Sequence, residues 1–148
     1  MSMELIFWRH ADAENRMPDE ARQLTATGRM QAKKMAAWLT PRLPAEFRTI
    51  VSPAARARET AAALTEHAVI DKKVSTAATP QGVLKAAGWP DGTGAVIVVG
   101  HQPTLGAAAA LALTGEAEMW SLKKGAIWWL AHDTDGVRVR AVLTPGML

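Results

Sequence analysis

Three short apolar runs, Glu4 to Arg9, Thr49 to Ser52 and Ala95 to Gly100, alternate along the chain with segments of helical periodicity. Apolar runs of this length suit strands buried on both faces, the way parallel strands of a covered sheet read. The first helical segment places Ala32, Met35, Ala36 and Leu39 on one stripe, with Thr25 and Thr27 as start signals and Pro41 as the stop. A second follows Ser52-Pro53, read as an N-cap hydroxyl with proline at the first helical position, and buries Ala57, Thr60, Ala61 and Leu64. Thr79-Pro80 opens a third, which Gly88 closes; a fourth starts near Pro103, buries Leu105, Ala108, Ala109 and Ala112, and ends at Gly115.

The tail has a different pattern. Ala126 to His132 and Val137 to Leu143 flank Asp133-Thr134-Asp135-Gly136, and Asp-Gly between alternating residues signals a hairpin. The expected fold is therefore α/β: a mostly parallel sheet flanked by helices on both faces, with an antiparallel C-terminal strand addition. At 148 residues, 49% of them apolar, residues 1–148 are expected to form one domain around one sizeable core.

Composition narrows the chemistry. The chain has no cysteine, which excludes disulfides, cysteine-ligated zinc, iron–sulfur clusters and thiol catalysis. The 17 Lys and Arg against 14 Asp and Glu leave a formal charge of only +3. No basic tract exceeds a pair (Lys33-Lys34, Lys72-Lys73, Lys123-Lys124), a pattern of solvated surface and not of nucleic-acid binding. Gly92 to Gly115 carries no formal charge but holds His101, Gln102 and Pro103 at its centre, so strand, turn and helix is the reading and not a membrane span. Met1 to Trp8 is too short for a signal sequence and runs into Arg9, so a cytoplasmic location is expected.

Functional groups collect at the ends of the strand-like runs. Arg9-His10 ends the first, Arg56 lies in the first turn of the helix after the second, and His101 ends the third. In open α/β sheets, ligands bind at the carboxyl ends of the strands. Four motifs then resemble the histidine phosphatase superfamily, which is phosphoglycerate mutase-like in fold, and specifically its short SixA-type phosphohistidine phosphatases. They are Arg9-His10-Ala11; Arg22-Gln23-Leu24-Thr25 with Gly28 and Ala32; Ser52-Pro53-Ala54-Ala55-Arg56-Ala57 with Thr60; and Gly100-His101. The resemblance spans about residues 4 to 115.

What this resemblance implies agrees with the chemistry of the residues. His10 would attack phosphorus and carry the phosphoryl group, and Arg9 and Arg56 would grip its oxygens with forked donors. His101 would donate a hydrogen bond to those oxygens, joined by the backbone N–H of Gln102. Arg22 would stand near the pocket mouth, in reach of phosphate or of the partner protein. The helix N-termini after Ser52 and His101 would favour an anion, and no metal or cofactor is implied. The implied substrate is phosphohistidine on a protein, such as a histidine-phosphotransfer domain of a signalling relay, with phosphate as product. The short chain leaves little length for lids, so a shallow, open pocket is expected.

Two positions depart from the family pattern: Ala11 stands where glycine is usual, and Val74 to Ala87 lacks the Asp or Glu that many relatives use as a proton donor. An alkoxide leaving group needs that acid more than imidazole does, so its absence favours phosphohistidine over sugar phosphates. Asp12 and Glu14 are the weaker substitutes. The competing readings are a general phosphomonoesterase and a non-catalytic phosphohistidine-binding module. A metal site from His10, His101 and Asp12 is opposed by the neighbouring guanidiniums. His67, His132 and the Arg58-Glu59 pair read as surface groups, and Trp128-Trp129 as one core ring and one partly exposed ring.

Overall fold

The computed structural model describes residues 2–148. Strand β1 (Met3–Arg9) lies inside a six-stranded sheet with β2 (Phe47–Val51), β3 (Val69–Ile70), β4 (Gly94–Gly100), β5 (Ile127–Asp133) and β6 (Gly136–Leu143). The spatial order is β3-β2-β4-β1-β5-β6. The first four of these neighbours run parallel, β5 runs antiparallel to β1, and β6 antiparallel to β5. Helices α1 (Ala26–Leu39), α2 (Ala55–Ala62), α3 (Pro80–Ala87) and α4 (Thr104–Thr114) supply the crossovers and cover the sheet.

The period of two along a strand decides which helices meet which residues. Met3, Leu5 and Phe7 of β1, with Val96 and Val98 of β4, pack against Val83, Leu84 and Ala87 of α3 and Leu105, Ala108 and Ala109 of α4. The intervening Ile6, Trp8, Ile97 and Val99 pack against Met35, Ala36 and Leu39 of α1 and Ala57 and Ala61 of α2. Both faces of the central strands are thus buried, which is why their sequence is continuously apolar. Trp129 is buried and Trp128 only partly so, as the adjacent pair implied.

Helix α1 starts where expected, with Thr25 accepting the Gly28 N–H, and α3 runs from Thr79-Pro80 to Gly88. Helix α2 corrects the sequence reading. It begins at Ala55 with Ala54 as N-cap, two residues after Pro53, and Leu64 falls beyond its end. Ser52 lies two residues before that N-cap, where its hydroxyl accepts the Ala54 N–H at 3.2 Å and meets His101. In α4, Ala110 is buried and Ala112 only partly so. Strand β3 escaped the sequence reading: it has two residues, both exposed, too few to show a period. Gly92 to Gly115 resolves into β4 and α4, and among the described residues no helix is long and apolar enough to cross a membrane.

Gly106 shows how tightly α4 is seated. A Cβ there would lie 1.7 Å from the Trp120 carbonyl oxygen, which is fixed backbone. Replacing Gly106 by alanine must push the 116–122 segment off the helix, at a cost of about 3 kcal/mol. Urea unfolding of the variant measures this, and a loss within about 0.5 kcal/mol, the range of an ordinary surface substitution, would contradict it.

Candidate active site

The sheet delivers three chain segments side by side. Arg9 of β1 pairs in register with Gly100 of β4, His10 N–H donates to Gly100 O at 3.0 Å, and Ser52 N–H donates to Val99 O at 3.1 Å. The ends of β1, β2 and β4 are therefore locked together, and His10, Ser52 and His101 follow from them as neighbours. Threonine 60 ties in α2: its hydroxyl accepts the Ala11 N–H at 3.0 Å and donates to Arg56 O at 2.7 Å. Ala11 needs no glycine-like backbone, since no residue other than glycine has positive φ, and its methyl packs with Ala13, Leu24 and Ala32.

The structure brings His10, Arg56 and His101 together and buries all three, at 6%, 4% and 5% exposure. The imidazole centroids of His10 and His101 are 5.3 Å apart. Nδ1 of His10 lies 2.8 Å from Ala11 O, an acceptor only, so Nδ1 carries the proton and Nε2 keeps a free lone pair. Nε2 of His101 lies 2.7 Å from Ser52 Oγ, while its Nδ1 lies 3.5 Å from Arg56 Nη2. Arg9 is half-buried at the end of β1, with Nη1 donating to Leu122 O at 2.8 Å and a buried Nε that has no partner. The Nε of Arg56 is likewise buried and unpaired.

Electrostatics follow from this burial. Desolvation, ahead of the charges of Arg56, Arg9 and Arg22, pushes the His10 imidazole down to about 4, against the pull of its Ala11 hydrogen bond. Desolvation first, then His10 and the guanidiniums, push His101 down to about 3, with Asp19 acting the other way. Both rings are therefore neutral at physiological pH, and burial does more than the neighbouring guanidiniums to keep them so.

Neutral burial has a stability consequence. Between the ordinary histidine value and about 4 the unfolded chain binds protons that the folded chain refuses. Stability must therefore fall as pH drops from 7 to 5, by on the order of 3 kcal/mol for the two rings together. Urea unfolding at the two pH values tests this; equal stability, or greater stability at pH 5, would contradict it.

Other predicted groups are placed differently. The Gln102 side chain is structural: Nε2 donates to Trp120 O at 3.0 Å, and Oε1 accepts the Gly106 N–H at 2.7 Å. Arg22 is near enough for its charge to act on His10, its Nε donating to Glu14 O at 2.6 Å and its Nη1 to Asp19 Oδ1 at 3.2 Å. Asp12 bonds Lys124 at 3.0 Å through Oδ1 and Thr25 at 2.6 Å through Oδ2, and those two hydrogen bonds hold its carboxyl below the usual range, which does not suit a proton donor, and occupy both of its oxygens. Gly28 lets α1 approach so closely that a Cβ would fall 1.9 Å from Asp12 O. Among the described residues, no three His, Cys, Asp or Glu side chains are grouped to hold a metal. His67 is exposed, His132 bonds Pro90 O at 3.1 Å, and Glu59 pairs with Arg29.

Two participants were not anticipated. Ser52, read as a helix cap and as the first residue of a family motif but given no part in the site, contacts His101. Asp19, on a 3-10 turn (Asp19–Ala21), accepts from Arg56 Nη2 at 3.1 Å through its carboxylate and from Nη1 at 2.8 Å through its carbonyl. These two contacts hold the turn against Arg56, and the Asp19 charge reaches His101. The i,i+3 spacing of Asp19 and Arg22 was the only sequence hint of their contact.

Comparison with known proteins points to one family and one fold. The family model for the histidine phosphatase superfamily (branch 1) matches residues 5–77, which includes Arg9, His10, Arg22 and Arg56. Among solved structures, the protein histidine phosphatase SixA complexed with tungstate superposes with a TM-score of 0.84 at 24% identity, over 98% of this chain and 99% of that one. A protein assigned as phosphohistidine phosphatase SixA from Nakamurella multipartitia gives 0.80 at 27%, over 98% and 97%. A phosphoserine phosphatase mutant from Entamoeba histolytica gives 0.72 at 14%, over 99% of each chain. The search of curated proteins found no match.

Proposed function

The chain belongs to the histidine phosphatase superfamily, and from that premise we propose that it hydrolyses phosphohistidine on a protein through a phosphorylated His10. One observation carries the reading: His10 is a neutral, buried imidazole whose Nδ1 is pinned to Ala11 O, leaving Nε2 as a nucleophile beside the Arg56 guanidinium. Nε2 attacks phosphorus while the substrate's P–N bond breaks, and the departing imidazole takes up a proton. Water then attacks the phosphorus on His10, the new P–N bond breaks, inorganic phosphate leaves, and His10 is restored.

The surrounding groups have defined parts in both steps. Arg9 and Arg56 hold the phosphoryl oxygens, and charge-assisted hydrogen bonds of this kind are about twice as strong as neutral ones. Arg56 Nη2 can only donate, so in this structure His101 Nδ1 accepts from it and Nε2–H donates to Ser52 Oγ; with a phosphoryl oxygen against Nδ1, Ser52 donates to Nε2 instead and His101 Nδ1–H bonds that oxygen. Arg22 adds positive charge at the mouth. No metal or cofactor has a part in this scheme.

Substrate choice follows from what the segment Val74 to Ala87 lacks. With no acidic side chain there, an alkoxide would leave without a dedicated proton donor, whereas imidazole leaves more readily. SixA-named proteins among the structural neighbours support the same preference. The test compares kcat/KM on a phosphohistidine-bearing phosphotransfer protein with that on a sugar phosphate. Preference for the phosphohistidine protein by about 100-fold or more is the expected result; preference for the sugar phosphate would replace this function with a general phosphomonoesterase.

A further inference from the structure

The enclosed guanidinium of Arg56 already holds an anion supplied by the chain itself. Its Nη2 donates to Asp19 Oδ2 at 3.1 Å and its Nη1 to Asp19 O at 2.8 Å, while the second carboxylate oxygen accepts from Arg22 Nη1 at 3.2 Å. One carboxylate thus bridges two guanidiniums. It does so beside the imidazoles, because the same Nη2 lies 3.5 Å from His101 Nδ1. One carboxylate oxygen and one backbone carbonyl oxygen thus occupy the two arms of the Arg56 fork, the places two phosphoryl oxygens would take, and the other carboxylate oxygen occupies Arg22.

The holder is unequal in strength at its two ends. Arg56 is fixed by burial, with 5% of its side chain exposed, whereas the Asp19 side chain is 49% exposed on a three-residue turn. A half-exposed carboxylate is held only modestly and can swing into solvent. Burial acts to raise the Asp19 carboxyl, but hydrogen bonds and charge from Arg22 and Arg56 outweigh it, so the group is an anion at neutral pH.

Resting on the phosphoryl-binding role of Arg56, we propose that Asp19 is an intrachain stand-in for the phosphoryl group, which substrate must displace from Arg56 and Arg22. Asp19 then determines which anions the site accepts. A singly charged anion gains from the guanidiniums no more than Asp19 already gives, whereas a doubly charged phosphoryl group gains more and wins the exchange. The residue acts on binding, through two cations, and not on phosphorus.

Calorimetric titration of the full chain with inorganic phosphate, and with acetate as the singly charged probe, tests this without requiring turnover. Asp19→Asn and Asp19→Ser are both expected to bind phosphate about three- to tenfold more tightly than the parent, with acetate affinity rising as well. Glu20 supplies the control, being adjacent, exposed and in contact with neither guanidinium; Glu20→Gln removes the same charge and should stay within about twofold of the parent. Unchanged or weaker phosphate binding in both Asp19 variants would overturn the inference, as would a Glu20→Gln effect equal to theirs. Phosphate binding by the parent with no gain in the variants removes this inference alone; absence of phosphate binding in parent and variants alike removes the proposed function with it.

Discussion

Replacing His10 with alanine should lower kcat on phosphohistidine protein by on the order of ten-thousand-fold, since no second group can take over the attack. His101 is the only other imidazole in the pocket, and its two nitrogens already face Ser52 and Arg56. The same variant should lose the phosphoenzyme that rapid quenching traps with radiolabelled substrate. His67→Ala and His132→Ala should keep it, because both rings lie outside the pocket, one exposed and the other against Pro90 O. Label retained in His10→Ala, or lost in His67→Ala, would assign the nucleophile wrongly. Absence of label in the parent protein would favour a binding module that does not turn over.

Removing the Arg56 guanidinium should produce the second-largest loss. Arg56→Ala deletes a buried fork that faces His101 and the phosphoryl site, and kcat/KM should fall by about 100- to 1,000-fold. Arg56→Lys keeps the charge but replaces the planar fork with a point donor, so at least about tenfold should remain lost. A separate readout distinguishes this from simple misfolding. Arg56 is among the charges that depress His10, and truncating it also admits water, so the His10 titration followed by NMR should move up from about 4 toward the ordinary value. An active Arg56→Ala enzyme, or one in which His10 does not move, would contradict the assigned role.

Much of this architecture is legible in the residues, for reasons that can be named. Strands β1 and β4 are buried on both faces, so they appear as unbroken apolar runs; α3 carries its own start in Thr79-Pro80 and its stop in Gly88. Arg9, His10, Arg56 and His101 are legible because each is attached to the end of such an element. What escaped depends on contacts between distant segments. Ser52-Pro53 has the local chemistry of a helix start, yet its hydroxyl also meets His101, 49 residues away, and the helix begins only at Ala55. Asp19 meets Arg56 across 37 residues, and nothing in its neighbourhood along the chain marks that contact. Gln102 was assigned through its backbone, while its side chain is spent on holding α4 to Trp120.

Convergence of two imidazoles and two guanidiniums on one tetrahedral anion is most directly tested by a crystal structure of the protein with tungstate. The expected result places the oxyanion within bonding reach of His10 Nε2, with Arg9, Arg56 and His101 Nδ1 on its oxygens and the Asp19 carboxylate turned away. The contradicting result is an oxyanion seated elsewhere, such as in the basic cavity between Arg9, Lys123 and Lys124, with Asp19 still on Arg56 and His10 untouched.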